Sequence, residues 1–175
     1  GDVRSAVREP APDAAQPILQ ARIEQLRTTG ALRVGGAAIA SYSALSDFYE
    51  NRAFRRAWTD SGTVADLLRA IAGIERDGLN PSDYHDEQLA ALRAAVARDT
   101  APATLLADFD LLLTDAFVRL GYHILFGKVD PERLDANWNM AREIEHVDPA
   151  AIMQQAIDSG DLYGIIEDYK PNHPL

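Results

Sequence analysis

The sequence predicts a mainly α protein: a single helical domain over residues 17–175, built around one long central helix at about residues 102–126, with a disordered N-terminal leader. Three observations predict it. Leu105, Phe109, Leu112, Leu113, Ala116, Phe117, Leu120 and Ile124 recur at steps of three, four and seven, so they form one apolar stripe. Proline, glycine and short polar residues punctuate the rest of the chain at helix-length intervals. With 175 residues, 47% of them hydrophobic, the chain has the material for one substantial core.

The elements follow in order. Residues 1–16 carry Pro, Ala and charge without periodicity and read as a disordered leader or linker. Pro17 suits the first turn of a helix running to about Thr28, with Ile18, Ile23 and Leu26 on one side and Gly30 as its stop. Leu32 to Ala40 is a short extended segment, weakened as a strand by Gly35-Gly36. Ser43 to Arg52 is a short helix carrying Leu45, Phe48 and Tyr49, followed by a connection with Phe54 and Trp58 that ends at Asp60-Ser61-Gly62. Thr63 caps the next helix, whose stripe is Val64, Leu67, Leu68, Ile71 and Ile74 and whose end is Gly78.

Pro81 forces Asn80 out of the helical region, which makes residues 79–84 a turn. Asp86 opens a helix with Leu89, Leu92 and Val96, and the central post comes next. From Pro102 to Phe126 it would run roughly 37 Å at 1.5 Å per residue. Gly127 terminates it and Val129-Asp130-Pro131 turns the chain away. After Trp138 the chain is expected to be irregular as far as Val147, with exposed loops over 139–147. Asp148-Pro149 then caps a helix bearing Ile152, Met153, Ala156 and Ile157 that ends at Gly160. Asp161 caps a last short helix with Leu162, Ile165 and Ile166, broken by Pro171.

Composition excludes several function classes. A net charge of −10 argues against a nucleic-acid footprint. No apolar run approaches the ~20 residues that span a bilayer. There is no cysteine, which removes disulfides, thiolate metal sites and cysteine nucleophiles from this chain. The start at Gly1 rather than Met and the stop at Leu175 lead to the expectation of a fragment of a longer protein.

Chemistry-bearing patterns are few. Asp108, Asp115 and Arg119 lie seven and four apart on one face of the long helix. A paired-carboxylate acid–base site is one reading. The plainer one is a solvated face with an i,i+4 Asp–Arg pair, preferred because nothing fixes a partner or shifts a pKa. His85, His123, His146 and His173 never fall at zinc-site spacing, and His123, beside Tyr122, reads as a packed or surface residue. Ser41, Ser43 and Ser46 lie in no nucleophile elbow, and Gly35-Gly36 is no phosphate loop. Tyr42, Phe48, Tyr49, Phe54 and Trp58 cluster, with Trp138 standing alone. They suit either a sugar-stacking platform or, more simply, a core. No catalytic, cofactor-binding or metal-ligating residue is assigned.

Four stretches carry a resemblance. Leu45, Phe48, Tyr49, Arg52, Phe54 and Trp58 form L..FY..R.F...W; Gly78, Leu79, Asn80, Pro81, Asp83, Tyr84 and His85 form GLNP.DYH. Gly127, Asp130, Pro131, Leu134 and Trp138 form G..DP..L...W, and Pro171, His173 and Pro174 form P.HP. In this order, over roughly residues 40–175, the chain resembles the scaffold domain that precedes the catalytic domain in large, YcbB-type L,D-transpeptidases. The resemblance implies an exported, periplasmic protein of a Gram-negative-type bacterium whose parent enzyme forms 3-3 cross-links between peptidoglycan stem peptides. It further implies a Cys and His active site in a separate downstream domain, the first expected partner of this chain. Peptidoglycan and envelope proteins are further partners it allows, and a stand-alone binding module for either is the alternative reading.

Overall fold

The computed structural model describes residues 13–98, 100–126 and 130–170. Among them, eight α-helices and one small hairpin make a mainly α fold wrapped around a single long helix. The helices are α1 (Ala15–Thr29), α2 (Tyr42–Asn51), α3 (Ser61–Gly73), α4 (Asp86–Val96), α5 (Ala103–Phe126), α6 (Leu134–Glu143), α7 (Pro149–Asp158) and α8 (Leu162–Tyr169). The hairpin pairs β1 (Arg33–Val34) with β2 (Ala37–Ala38), antiparallel.

The post is α5. Leu111, Leu112 and Leu113 are consecutive and all fully buried. Successive helical residues point about 100° apart, so three in a row leave little of the circumference free for water. Around it, α1 packs Leu19, Ile23 and Leu26, α2 packs Leu45, Phe48 and Tyr49, and α4 packs Leu89 and Leu92. α8 lies mainly against α3, α7 and α6 lie against α2, and the three helices α6, α7 and α8 gather near the far end of the post.

Local chemistry explains most boundaries. Ser41 accepts a hydrogen bond from the Ala44 amide at the start of α2, and Asp148 and Asp161 do the same for α7 and α8. Gly30 ends α1 in the left-handed conformation, as expected. Gly35 and Gly36 (φ 57° and 85°) supply the paired left-handed residues of a tight two-residue hairpin turn, so the pair that weakens a strand makes the hairpin.

Several expectations need correction. Helix α1 starts at Ala15, so Ala15 and Gln16 belong to it rather than to a leader; residues 1–12 lie outside the described residues. Its buried stripe includes Leu19, while Ile18 is only partly buried. The cap of α3 is Asp60, whose carboxylate accepts from the Gly62 amide, because a carboxylate at this extended position reaches the free amides. Thr63 is instead buried within the helix, and Ser61 and Gly62 are helical. The segment after Trp138 is irregular and exposed only from Ile144 on, because Trp138 lies in the middle of α6, whose Leu134, Trp138 and Ala141 share one buried face. Two asparagines beside Trp138 lower local helix propensity, and burial of that face overrides them.

Candidate functional site

The positions singled out in the sequence converge on the joints between α5 and its neighbours. The first joint is at Asp110, a fully enclosed carboxylate. Helix α2 ends in a Schellman turn: the Phe54 amide donates to the Tyr49 carbonyl (2.8 Å) and the Ala53 amide to that of Glu50 (3.1 Å). Ala53 and Phe54 both take positive φ (55° and 61°), which reverses the chain and aims the next amides at α5. The Ala57 amide donates to Asp110 Oδ1 at 3.0 Å and the Trp58 amide at 2.9 Å. From the other side the Tyr49 hydroxyl donates to Asp110 Oδ2 at 2.6 Å. Thr114, one turn on, accepts from Trp58 Nε1 at 2.9 Å. Trp58 also meets Phe117 edge-on, ring centres 5.8 Å apart.

Burial pushes the Asp110 carboxyl up from its ordinary value, and the hydrogen bonds from Tyr49, Trp58 and Ala57 pull partly against that. The Tyr49 phenol is driven well above its usual range by burial and by the facing Asp110 charge. The Tyr49 hydroxyl and the Ala57 and Trp58 amides all point their donors at the carboxylate, which suits an ionised, acceptor-only group. Such a group is a clamp rather than a proton shuttle.

The second joint is at Asp115, also fully buried. Its Oδ2 faces His85 Nε2 at 2.7 Å and receives Arg119 Nε at 2.9 Å, while Oδ1 accepts the Ala40 amide at 3.2 Å. Arg119 uses its other arms on the carbonyls of Ala38 (2.9 Å) and Asp83 (3.2 Å). One ion pair therefore fastens β2, the 81–84 turn and the entry to α4 onto the post. The turn is set by Asn80, which accepts from the Ser82 amide, by the buried Pro81 and by His85 at φ 63°. The neighbouring Tyr84 phenol is pushed up to about 12 by burial and by the Asp83 charge.

The i,i+4 pair of Asp115 and Arg119 is thus present, but the face is not solvated. Asp108, two residues before Asp110, is a separate, part-buried partner of Arg22 at 3.4 Å, so no carboxylate pair forms with Asp115. Sequence reasoning missed Asp110 and Thr114. The available signal was the all-round apolarity of α5, which forces any polar residue within it inward.

Other carboxylates repeat the pattern. Asp135 accepts from the Ser41 hydroxyl (2.7 Å) and the Ser43 amide (3.0 Å), joining α6 to α2. Asp47 accepts from Trp138 Nε1 at 2.7 Å and from Arg142 at 2.6 Å. Asp130 caps the turn at Pro131. Arg52 lies over the Phe48 ring at 5.5 Å, bonds the Arg55 and Arg56 carbonyls and reaches Gln154 of α7. Leu45, Phe48, Tyr49, Trp58 and Trp138 are all buried, Tyr42, Phe54 and Leu79 are partly buried, and Gly78 ends its turn in the left-handed conformation. An exposed sugar-stacking platform is therefore not what these aromatics build. Gly127, Pro171, His173 and Pro174 lie outside the described residues.

Among the described residues, no group of three or more His, Asp or Glu side chains can hold a metal ion, and no helix is long and apolar enough to cross a membrane. Neither the apolar cavity lined by Phe117, Trp138 and Ile166 nor the polar one lined by Asp47 and Arg142 has Asp110 or Asp115 in its wall. No curated protein and no solved structure matches the chain. A family model described as Scaffold domain matches residues 43–175, a span that takes in Asp110, Asp115, α3 to α8 and nearly all of α2, and the chain belongs to that Scaffold domain family.

Proposed function

We propose that this chain is the non-catalytic scaffold domain of a periplasmic L,D-transpeptidase-like protein, supporting or orienting a catalytic domain that cross-links peptidoglycan. The observation that carries the reading is the use made of the motif residues. Tyr49, Trp58, Pro81, Tyr84 and Trp138 are buried at joints between helices and the post, where they fix shape and present no reactive group. Asp110 and Asp115, the enclosed carboxylates beside them, have their oxygens committed to donors of the chain itself. A thiolate for transpeptidation has to come from another part of the polypeptide, because this chain has no cysteine.

The test is the size, location and activity of the native protein. Fractionated cells blotted with an antibody to this domain are expected to give a periplasmic or membrane-associated band well above the 19.2 kDa of the chain. The protein in that band, incubated with tetrapeptide muropeptides, is expected to yield 3-3 cross-linked dimers, and the isolated chain none. A native band at the size of the chain alone, or cross-linking by the chain itself, overturns the proposal.

A further inference from the structure

The far end of α5 carries a surface unlike the rest. There α6, α7 and α8 surround an apolar groove holding a cavity of about 240 Å³. Its wall includes Leu125, Trp138, Ile152, Met153, Ile166 and Tyr169. Leu125, Ile152 and Tyr169 are 62%, 49% and 59% exposed, three of the five large apolar side chains that stand out to water among the described residues. Large apolar side chains clustered in this way mark a surface that recognises a partner.

Charge selects the partner. The one charged residue in the wall is Glu145. Val147, two residues on, also lines a neighbouring polar cavity together with Asp47, Asn51, Arg142, His146 and Asp148, so the groove and the polar cavity meet at Val147. Arg142 is the only Lys or Arg in either wall, and Asp47 holds it at 2.6 Å. Glu145 and Asp148 are exposed and form no ion pair with any described residue. Two unneutralised carboxylates at the edge of an apolar groove favour a cationic group on its occupant. Glu145 is held in place: its amide donates to the Met140 carbonyl at 3.3 Å and the Val147 amide to that of Ala141 at 3.0 Å, with His146 between them at φ 55°. The same charges work against a second copy, which in a two-fold contact would set Glu145 against its own counterpart. They also repel fatty-acid carboxylates and anionic lipid surfaces.

Backbone chemistry selects the shape. The wall comes from α5 to α8 and the turn before α7, with no strand edge to pair with. An extended segment lying there would strand its own amides on apolar side chains. A helix satisfies its backbone internally and buries one apolar face. Every helix among the described residues is already packed into the fold.

We propose that this groove binds an amphipathic helix of a separate polypeptide, its apolar face against Ile152, Ile166 and Tyr169 and a Lys or Arg side chain at Glu145 and Asp148. The inference rests on the groove and its charges and does not depend on the transpeptidase reading.

The test titrates the full chain into a fluorophore-tagged synthetic helix of about 18 residues, with Leu at steps of three and four and Lys elsewhere, read by anisotropy. One control peptide replaces every Lys with Glu; another keeps the composition and scrambles the order. The Lys helix is expected to bind, more weakly as salt is added, and both controls to bind weaker by roughly tenfold or more. Ile152→Arg sets a like charge against the Lys helix and should raise its Kd by roughly tenfold. Glu145→Gln should raise it several-fold, and Glu87→Gln, an exposed carboxylate of α4 outside both cavities, should leave it unchanged. Absence of binding by the Lys helix, equal affinity for the scrambled peptide, or wild-type affinity in a folded Ile152→Arg chain overturns the proposal. A dimeric mass by light scattering that disappears with Ile152→Arg assigns the groove to a second copy and also overturns it. If Ile152→Arg does not fold, equal effects of Glu145→Gln and Glu87→Gln overturn it instead.

Discussion

The two ends of α5 solve the problem of a buried helix in opposite ways. Over Asp108 to Arg119 the post is held by polar groups, with Asp110 and Asp115 drawing in amides, a hydroxyl and an imidazole from earlier parts of the chain, beside the guanidinium of Arg119 on α5 itself. Toward Leu125 the contacts are apolar and partly open to water. Apolar packing tolerates sliding and repacking, whereas a buried carboxylate with named donors accepts one register only. The difference teaches that the negative charge of this chain is partly internal structure, spent on clamps between segments far apart in sequence.

The comparison can be broken most forcefully at α1. A chain starting at Ser43, the first residue of the family match, lacks the helix whose Leu19, Ile23 and Leu26 cover α5. Loss of the cooperative unfolding transition in urea is expected. Next in size is Asp115→Ala. It leaves Arg119 and His85 enclosed without their carboxylate and should cost about 3–5 kcal/mol by chemical denaturation, as for a buried ion pair missing one partner. Tyr49→Phe removes one donor from Asp110 and should cost about 1–3 kcal/mol.

Asp110 also gives a pH dependence with a definite sign. Its folded-state pKa is raised above the ordinary 3.8, so its contribution is fully present below that value and is lost as pH rises through the raised one. Wild type should therefore lose stability relative to Asp110→Asn as pH climbs from about 4, read from paired urea titrations; a widening advantage for wild type would contradict the clamp's electrostatics. At the open end Ile144, 71% exposed, offers the mildest change. Ile144→Ser should stay within about 0.5 kcal/mol of wild type. A loss near that of Tyr49→Phe would erase the contrast between the ends.

Much of this was legible in the sequence, and the reason is period. The central helix was expected at about 102–126 and spans Ala103–Phe126, because apolar spacing over many turns admits one secondary structure. The helices capped by Asp148 and Asp161 followed from local capping chemistry that needs no tertiary information. The clamps were not legible. Tyr49, Ala57 and Trp58 lie more than fifty residues before Asp110, and nothing in their spacing brings them to it. Asp115 and Arg119 read locally as a surface pair, since the hairpin and His85 that bury them arrive from earlier in the chain. Helix α6 was missed because its stripe is short and two asparagines interrupt its propensity, while Trp138 anchors it through contacts with Tyr122 and Asp47.

The packing of α1 on α5 sets a schedule as well as a shape. Residues 15–29 leave the ribosome long before residues 103–126 exist. At about 5–20 residues per second, the first helix waits on the order of five to twenty seconds for the surface it will cover. During that interval Leu19, Ile23 and Leu26 lack α5, and α2 is the main other helix that α1 packs against. Helix α1 is thus made well before its main packing surface, and that interval is when its apolar face is most open to chaperones and to aggregation.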